Sequence, residues 1–161
     1  MSANEEFWDD VLGHLKQRVL VPIVGPRLLT IPDGSRTVTL SRLLGERLAH
    51  RYDLPIQWTD QMDLNDAVRA YYSARGRGES ERLYRVVNDI LSEVKTDPPV
   101  SLKQIAAIID QQLFISTTFD SLMTQAVNTV RFNGEPLTRE IWFSPNQSTA
   151  EQQKNARLPD R

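Results

Sequence analysis

Only two stretches of the chain are apolar and β-branched nearly throughout: VLVPIVG at residues 19–25 and LFIST at residues 113–117. Runs this short and uniform fit strands covered on both faces, as in a parallel sheet; a strand with one wet face alternates instead. Pro22 sets the beginning of the first run or a bulge within it. Around these runs the spacing is helical, giving the order helix, strand, several helices, strand, helix, and a weaker strand candidate, REIWF, at 139–143. That order predicts a helix-rich α/β domain of the Rossmann-like kind, three-layered around a parallel sheet. About three strands are few for such a sheet. The expectation is that further sequence or another chain completes it.

The helices follow from periodicity. NEEFWDDVLGHLKQR places Phe7, Trp8, Val11, Leu12 and Leu15 on one face, with acids early and bases late, as the helix dipole favours; Ser2 or Asn4 is the expected cap. Further helices are read at 41–51, at about 63–74, at 79–94 beyond the RGRGES breaker, within PPVSLKQIAAIIDQ, and from 120 to 130. Two β-prone runs flank Pro32-Asp33-Gly34-Ser35, which predicts a β-hairpin inserted after the first strand. One domain is expected over 1–143, with the polar stretch 144–161 a loop or a truncated connection to further sequence.

Composition narrows the function. The 161 residues, a quarter of them charged, match an ordinary globular domain with enough length for a core. The formal net charge of −2 gives no general attraction for nucleic acid or anionic membrane, so a phosphate-bearing ligand would be held locally. The absence of cysteine excludes disulfides, thiolate metal sites and cysteine nucleophiles. No apolar run approaches the roughly 20 residues of a membrane span, and the acidic opening is no signal peptide. A cytoplasmic protein without metal is expected.

Two seams carry candidate chemistry. In an open α/β fold the ligand crevice lies outside the carboxyl ends of the strands, where glycine lets backbone approach a phosphate. At the first seam only Gly25 is present, followed by Pro26, which lacks an N–H, and by Arg27. It reads as a structural turn, or as a cradle in which the Arg27 fork replaces backbone donors. At the second, Ser116, Thr117 and Thr118 bring hydroxyls to a strand end, and Asp120 stands where it caps the next helix or meets a ligand. Beyond it Phe119, Leu122, Met123, Ala126, Val127 and Val130 repeat at helical spacing, as a core face does. His14 and His50 have no second ligand at metal spacing and read as surface or interface residues. Arginines 69–85, interleaved with Tyr71, Tyr72 and Tyr84, read as the wet faces of helices. No Ser-His-Asp set or P-loop is present.

Together, VLVPIVGPRLL and LFISTTFDSLMTQAV resemble the paired signatures of the sirtuin-like domains of bacterial anti-phage proteins. In that family the first strand ends in Gly-Ala-Gly-x-Ser and the later one in Thr-Thr-Asn-Tyr-Asp, directly before a helix. The resemblance spans roughly 19–130 and implies a Rossmann-like sheet that binds NAD, with active members cleaving the nicotinamide–ribose bond. Gly25 matches the first glycine, whereas Pro26, Arg27 and Leu29 stand for the alanine, second glycine and serine. Thr117 and Asp120 match the second threonine and the aspartate; Ser116, Thr118 and Phe119 replace threonine, asparagine and tyrosine. Threonine lacks the paired donor and acceptor of the carboxamide. The family's catalytic histidine belongs to a later His-Gly motif, and no histidine follows His50.

The resemblance therefore implies a divergent domain with NAD as the possible cofactor, bound if at all by Gly25, Arg27, Thr117, Thr118 and Asp120, and with no catalytic residue assigned. One expectation is a degenerate NAD-site module serving assembly or regulation of an effector. The other is an NAD-binding, NAD-cleaving domain whose histidine lies beyond this chain. The expected partners are copies of itself or an effector or sensor domain, with neither membrane nor nucleic acid.

Overall fold

The computed structural model describes residues 3–94 and 96–143, and the polar stretch 144–161 lies outside them. Its elements in chain order are α1 (Ala3–Lys16), β1 (Ile23–Val24), β2 (Thr30–Asp33), β3 (Arg36–Thr39), α2 (Leu40–Arg51), α3 (Leu64–Arg75), α4 (Ser80–Glu93), α5 (Val100–Ala106), β4 (Ile115–Ser116) and α6 (Leu122–Phe132). The described residues are helix-rich, with one parallel pair, β1–β4, and one antiparallel pair, β2–β3. It divides into two compact units: a hairpin unit, Pro26–Asp97, and a strand unit formed by Met1–Gly25 and Pro98–Arg161.

The hairpin unit begins with the expected hairpin. Strands β2 and β3 pair from Thr30↔Thr39 to Asp33↔Arg36, leaving a two-residue turn. Of its two residues only Gly34 has a positive φ, +61°, which a side chain would strain. Arg36 reinforces the turn by donating to Asp33 at 2.7 and 2.9 Å and reaches on to Glu46 of α2. Thr39 caps α2 by accepting from the Arg42 amide at 3.2 Å. Helix α3 starts with a reciprocal capping box between Asp63 and Asp66. These two helices approach closely at Gly45, where a Cβ would sit 3.0 Å from the backbone of Asp63 and Leu64. Leu40, Leu44 and Leu48 of α2, Ala67 and Tyr71 of α3, and Leu83 and Ile90 of α4 form the buried interior with Leu29 and Ile31. Tyr71 belongs to this core: its hydroxyl donates to Glu79 at 3.2 Å, and burial together with that bond raises its pKa.

In the strand unit the two apolar runs form less sheet than their composition predicts. The first is paired only at Ile23–Val24, and of these Val24 is buried while Ile23 is 67% exposed. The second is paired only at Ile115–Ser116, both exposed. The expectation of strands covered on both faces is thus corrected. Among the described residues the parallel pair is two-stranded, and Ile23 and Ile115, paired on one face, are both exposed. REIWF forms no strand either: Glu140 makes an isolated bridge, and Ile141, Trp142 and Phe143 are exposed. Helix α6 buries Leu122, Met123, Ala126 and Val127, but Phe119 and Val130, expected on the same core face, are exposed. Asn133, with φ +52°, ends α6, followed by Gly134 at φ +88°.

Arg131 is the main polar tie of this unit. Its guanidinium donates to the carbonyls of Ala106, Ile108 and Gln111 at 2.6–2.7 Å, binding α6 to the carbonyl-rich end of α5. Burial lowers its pKa, yet a guanidinium stays charged across any ordinary pH. Helix α1 ends with Arg18 at φ +59°, where the Val19 amide reaches back to the His14 carbonyl, the long bond of a Schellman motif. No helix of the described residues is long and apolar enough to cross a membrane.

Candidate functional site

The two seams that the sequence singles out meet at the parallel pair. The register Ile23↔Ile115 and Val24↔Ser116 puts both carboxyl ends on the same side, so Gly25 and Thr117 emerge together. The Thr117 amide donates to the Val24 carbonyl at 2.9 Å and its hydroxyl donates to the same oxygen at 3.2 Å. A Cβ on Gly25 would stand 3.8 Å from the Thr117 hydroxyl, an ordinary contact. Gly25 is therefore not required here by steric crowding.

The polar groups after β4 largely satisfy one another. The Ser116 and Thr118 hydroxyls lie 2.7 Å apart, and the Thr118 amide reaches the Ser116 hydroxyl at 3.4 Å. Asp120 accepts from the Leu122 amide through Oδ1 at 2.9 Å, one of the orphan donors at the start of α6. This is the capping role open to it from the sequence, made from two residues before the first helical position. Its other oxygen behaves differently. Asp120 is 8% exposed, and Oδ2 is buried with no hydrogen-bond partner. A buried acceptor without a donor costs about 1–3 kcal/mol, and more when it is charged.

Of the five expected binding residues, Gly25, Thr117, Thr118 and Asp120 fall in the strand unit, around the ends of β1 and β4. Arg27 falls in the hairpin unit, exposed on the single 3-10 turn Pro26–Leu28. The unit boundary runs between Gly25 and Pro26, so the first seam contributes its glycine to one unit and its arginine to the other.

Sequence reasoning passed over a second feature, an open cleft of about 620 Å³ on the hairpin unit. Leu43 and Ile90 line its apolar part, with Arg47, His50, Glu46 and Glu93 among the polar residues. The acids are already engaged: Glu46 by Arg36 and Arg42, Glu93 by Arg51 at 2.8 Å. Burial works to raise the Glu46 carboxyl pKa, but the two guanidinium hydrogen bonds outweigh it and hold the group below its ordinary value. The one legible signal was Arg47, His50 and Arg51 at i, i+3 and i+4 of a helix, a spacing equally typical of a solvated face. With its carboxylates tied in ion pairs, the cleft offers no acid and base poised against each other. None of the five expected binding residues lines it.

His14 and His50 are both exposed, and the His14 ring nitrogen lies 2.8 Å from the Asp10 carbonyl. Among the described residues no group of three or more histidines, aspartates or glutamates is placed to hold a metal ion. No family model matches the chain, and comparison with characterised proteins and with solved structures likewise gives no match.

Proposed function

We propose that the chain is a divergent sirtuin-like domain of a bacterial anti-phage defence protein, in which a degenerate NAD site serves assembly or regulation of an effector. The observation that supports this reading is the meeting of Gly25 and Thr117 at the carboxyl ends of two parallel strands about ninety residues apart in sequence. This is where an open α/β fold receives its ligand, and where the resembled motifs would have to meet. The three-layer Rossmann-like arrangement, with a hairpin following the first strand, is part of the same proposal.

Degeneracy is supported by the chemistry of the seam. The Ser116, Thr117 and Thr118 hydroxyls are engaged with each other or with the Val24 carbonyl. Arg27 replaces a glycine of the resembled loop, and Pro26 removes an amide donor. A nucleotide would have to displace these contacts and find new donors for its phosphates.

One observation favours the second reading, an NAD-binding and NAD-cleaving domain. The buried Oδ2 of Asp120 lacks a donor, and a ribose hydroxyl is a donor of suitable kind. Calorimetric titration with NAD and an assay of nicotinamide release, on the wild-type protein and a Thr118→Ala/Asp120→Asn variant, separate the two. Asparagine preserves the oxygen that accepts from Leu122, and circular dichroism checks the fold. The degenerate site predicts neither binding nor release from either protein. Wild-type turnover abolished in the variant would overturn that reading in favour of the second.

A further inference from the structure

The cleft on the hairpin unit carries a charge that its ion pairs do not remove. Three carboxylates line it, and each already holds a guanidinium: Asp33 that of Arg36, Glu46 those of Arg36 and Arg42, and Glu93 that of Arg51. Three acids thus meet three arginines and cancel. Arg47, which also lines the cleft, is left over: among the described residues its side chain makes neither ion pair nor hydrogen bond, and the same holds for the His50 ring about one turn further along α2.

The space suits a small molecule. About 620 Å³ lies within the range of ligand pockets, and Leu43 and Ile90 form the floor, with the methylene stems of the lining arginines beside them. Leu43, Arg47 and His50 follow one another at four and three residues on α2, hence on one face, so a ligand whose body lies on the floor brings its head to both polar side chains. A guanidinium fork takes a carboxylate or a phosphate through two parallel N–H bonds, and an imidazole N–H adds a third donor. The charge count separates these two anions. One leftover cation is neutralised by a carboxylate, whereas a phosphate dianion would set an excess negative charge beside Asp33, Glu46 and Glu93.

We propose that this cleft binds a small apolar monocarboxylate, its carboxylate on Arg47 and His50 and its hydrocarbon body over Leu43 and Ile90. Arg47 selects the charge of the ligand, and the floor favours a hydrocarbon body over a bare anion. The site lies wholly within the hairpin unit and shares none of the five residues expected to hold NAD.

The test is titration of the full chain with octanoate, followed by amide NMR shifts, beside acetate, octanol and octyl phosphate. Octanoate is expected to saturate, with the shifts centred on residues 43–51 and 90–93. Acetate and octanol should each bind about tenfold more weakly or less, the first lacking the hydrocarbon and the second the charge. Arg47→Gln should weaken octanoate by about tenfold, while Arg69→Gln, at an exposed arginine of α3 outside the cleft, leaves it unchanged. Both arginines are exposed, so neither change is expected to disturb the fold. Failure of octanoate to saturate overturns the proposal, as do shifts centred elsewhere, octanol bound as tightly as octanoate, or binding indifferent to Arg47→Gln. Octyl phosphate bound more tightly than octanoate overturns the carboxylate in favour of a phosphate.

Discussion

The hairpin unit and the strand unit belong to one chain but resolve their apolar surface differently. In the hairpin unit, α2, α3 and α4 close over Leu44, Leu48, Tyr71 and Ile90, and among the described residues the only large apolar side chain left exposed is Tyr84. In the strand unit, α1, β1, β4 and the segment after α6 leave Phe7, Trp8, Ile23, Ile115, Trp142 and Phe143 exposed. Among the described residues, exposed apolar side chains thus concentrate in the strand unit. The lesson is that the unit with the complete core holds only Arg27 of the five expected binding residues, while the unit that holds the other four leaves more apolar surface exposed.

Core truncation gives the largest expected contrast. Leu44→Ala, at a fully buried position of α2, is expected to destabilise the protein by about 2–5 kcal/mol, whereas Leu12→Ala on the exposed α1 face costs about 0.5 kcal/mol or less in dilute solution. Urea denaturation of the two variants measures both. Equal losses would mean that α1 is covered within the single chain, and the contrast between the units would fail.

A smaller effect probes what holds the strand unit together despite its open face. Arg131→Met keeps the aliphatic stem but removes the guanidinium donor from the carbonyls of Ala106, Ile108 and Gln111, of which Ile108 keeps the Gln111 amide. A loss of about 2 kcal/mol is expected, the scale of hydrogen bonds to a charged group at a partly exposed site. Arg131→Lys should recover only part of it, because an ammonium lacks the planar fork that reaches several carbonyls together. Full recovery by lysine would show that charge alone matters there.

The legibility of the chain follows the same division. In the hairpin unit local signals suffice: Pro32-Asp33-Gly34-Ser35 specifies the turn, and leucine spacing specifies the buried face of α2. In the strand unit the residues are strand-like, but a strand also requires a neighbour, and neighbours are set by tertiary context. VLVPIVG therefore yields two paired residues, and REIWF only the bridge at Glu140. Of the candidate site, the meeting of Gly25 with Thr117 and the cap made by Asp120 were legible from strand-to-helix spacing. The orphaned Oδ2 of Asp120 was not, because which oxygen finds a donor depends on packing that spacing does not encode. Neither was the placement of Arg27 beyond a unit boundary.

The most direct test of the central claim, that the hairpin unit closes its own core while the strand unit leaves apolar surface exposed, is amide hydrogen exchange of the dilute protein. Amides in α2 and α3 should be strongly protected, since their burial is internal to one chain. Those of α1 should exchange much faster, because none of its described side chains is fully buried. If α1 is protected as strongly as α2 and α3, the contrast between the two units fails.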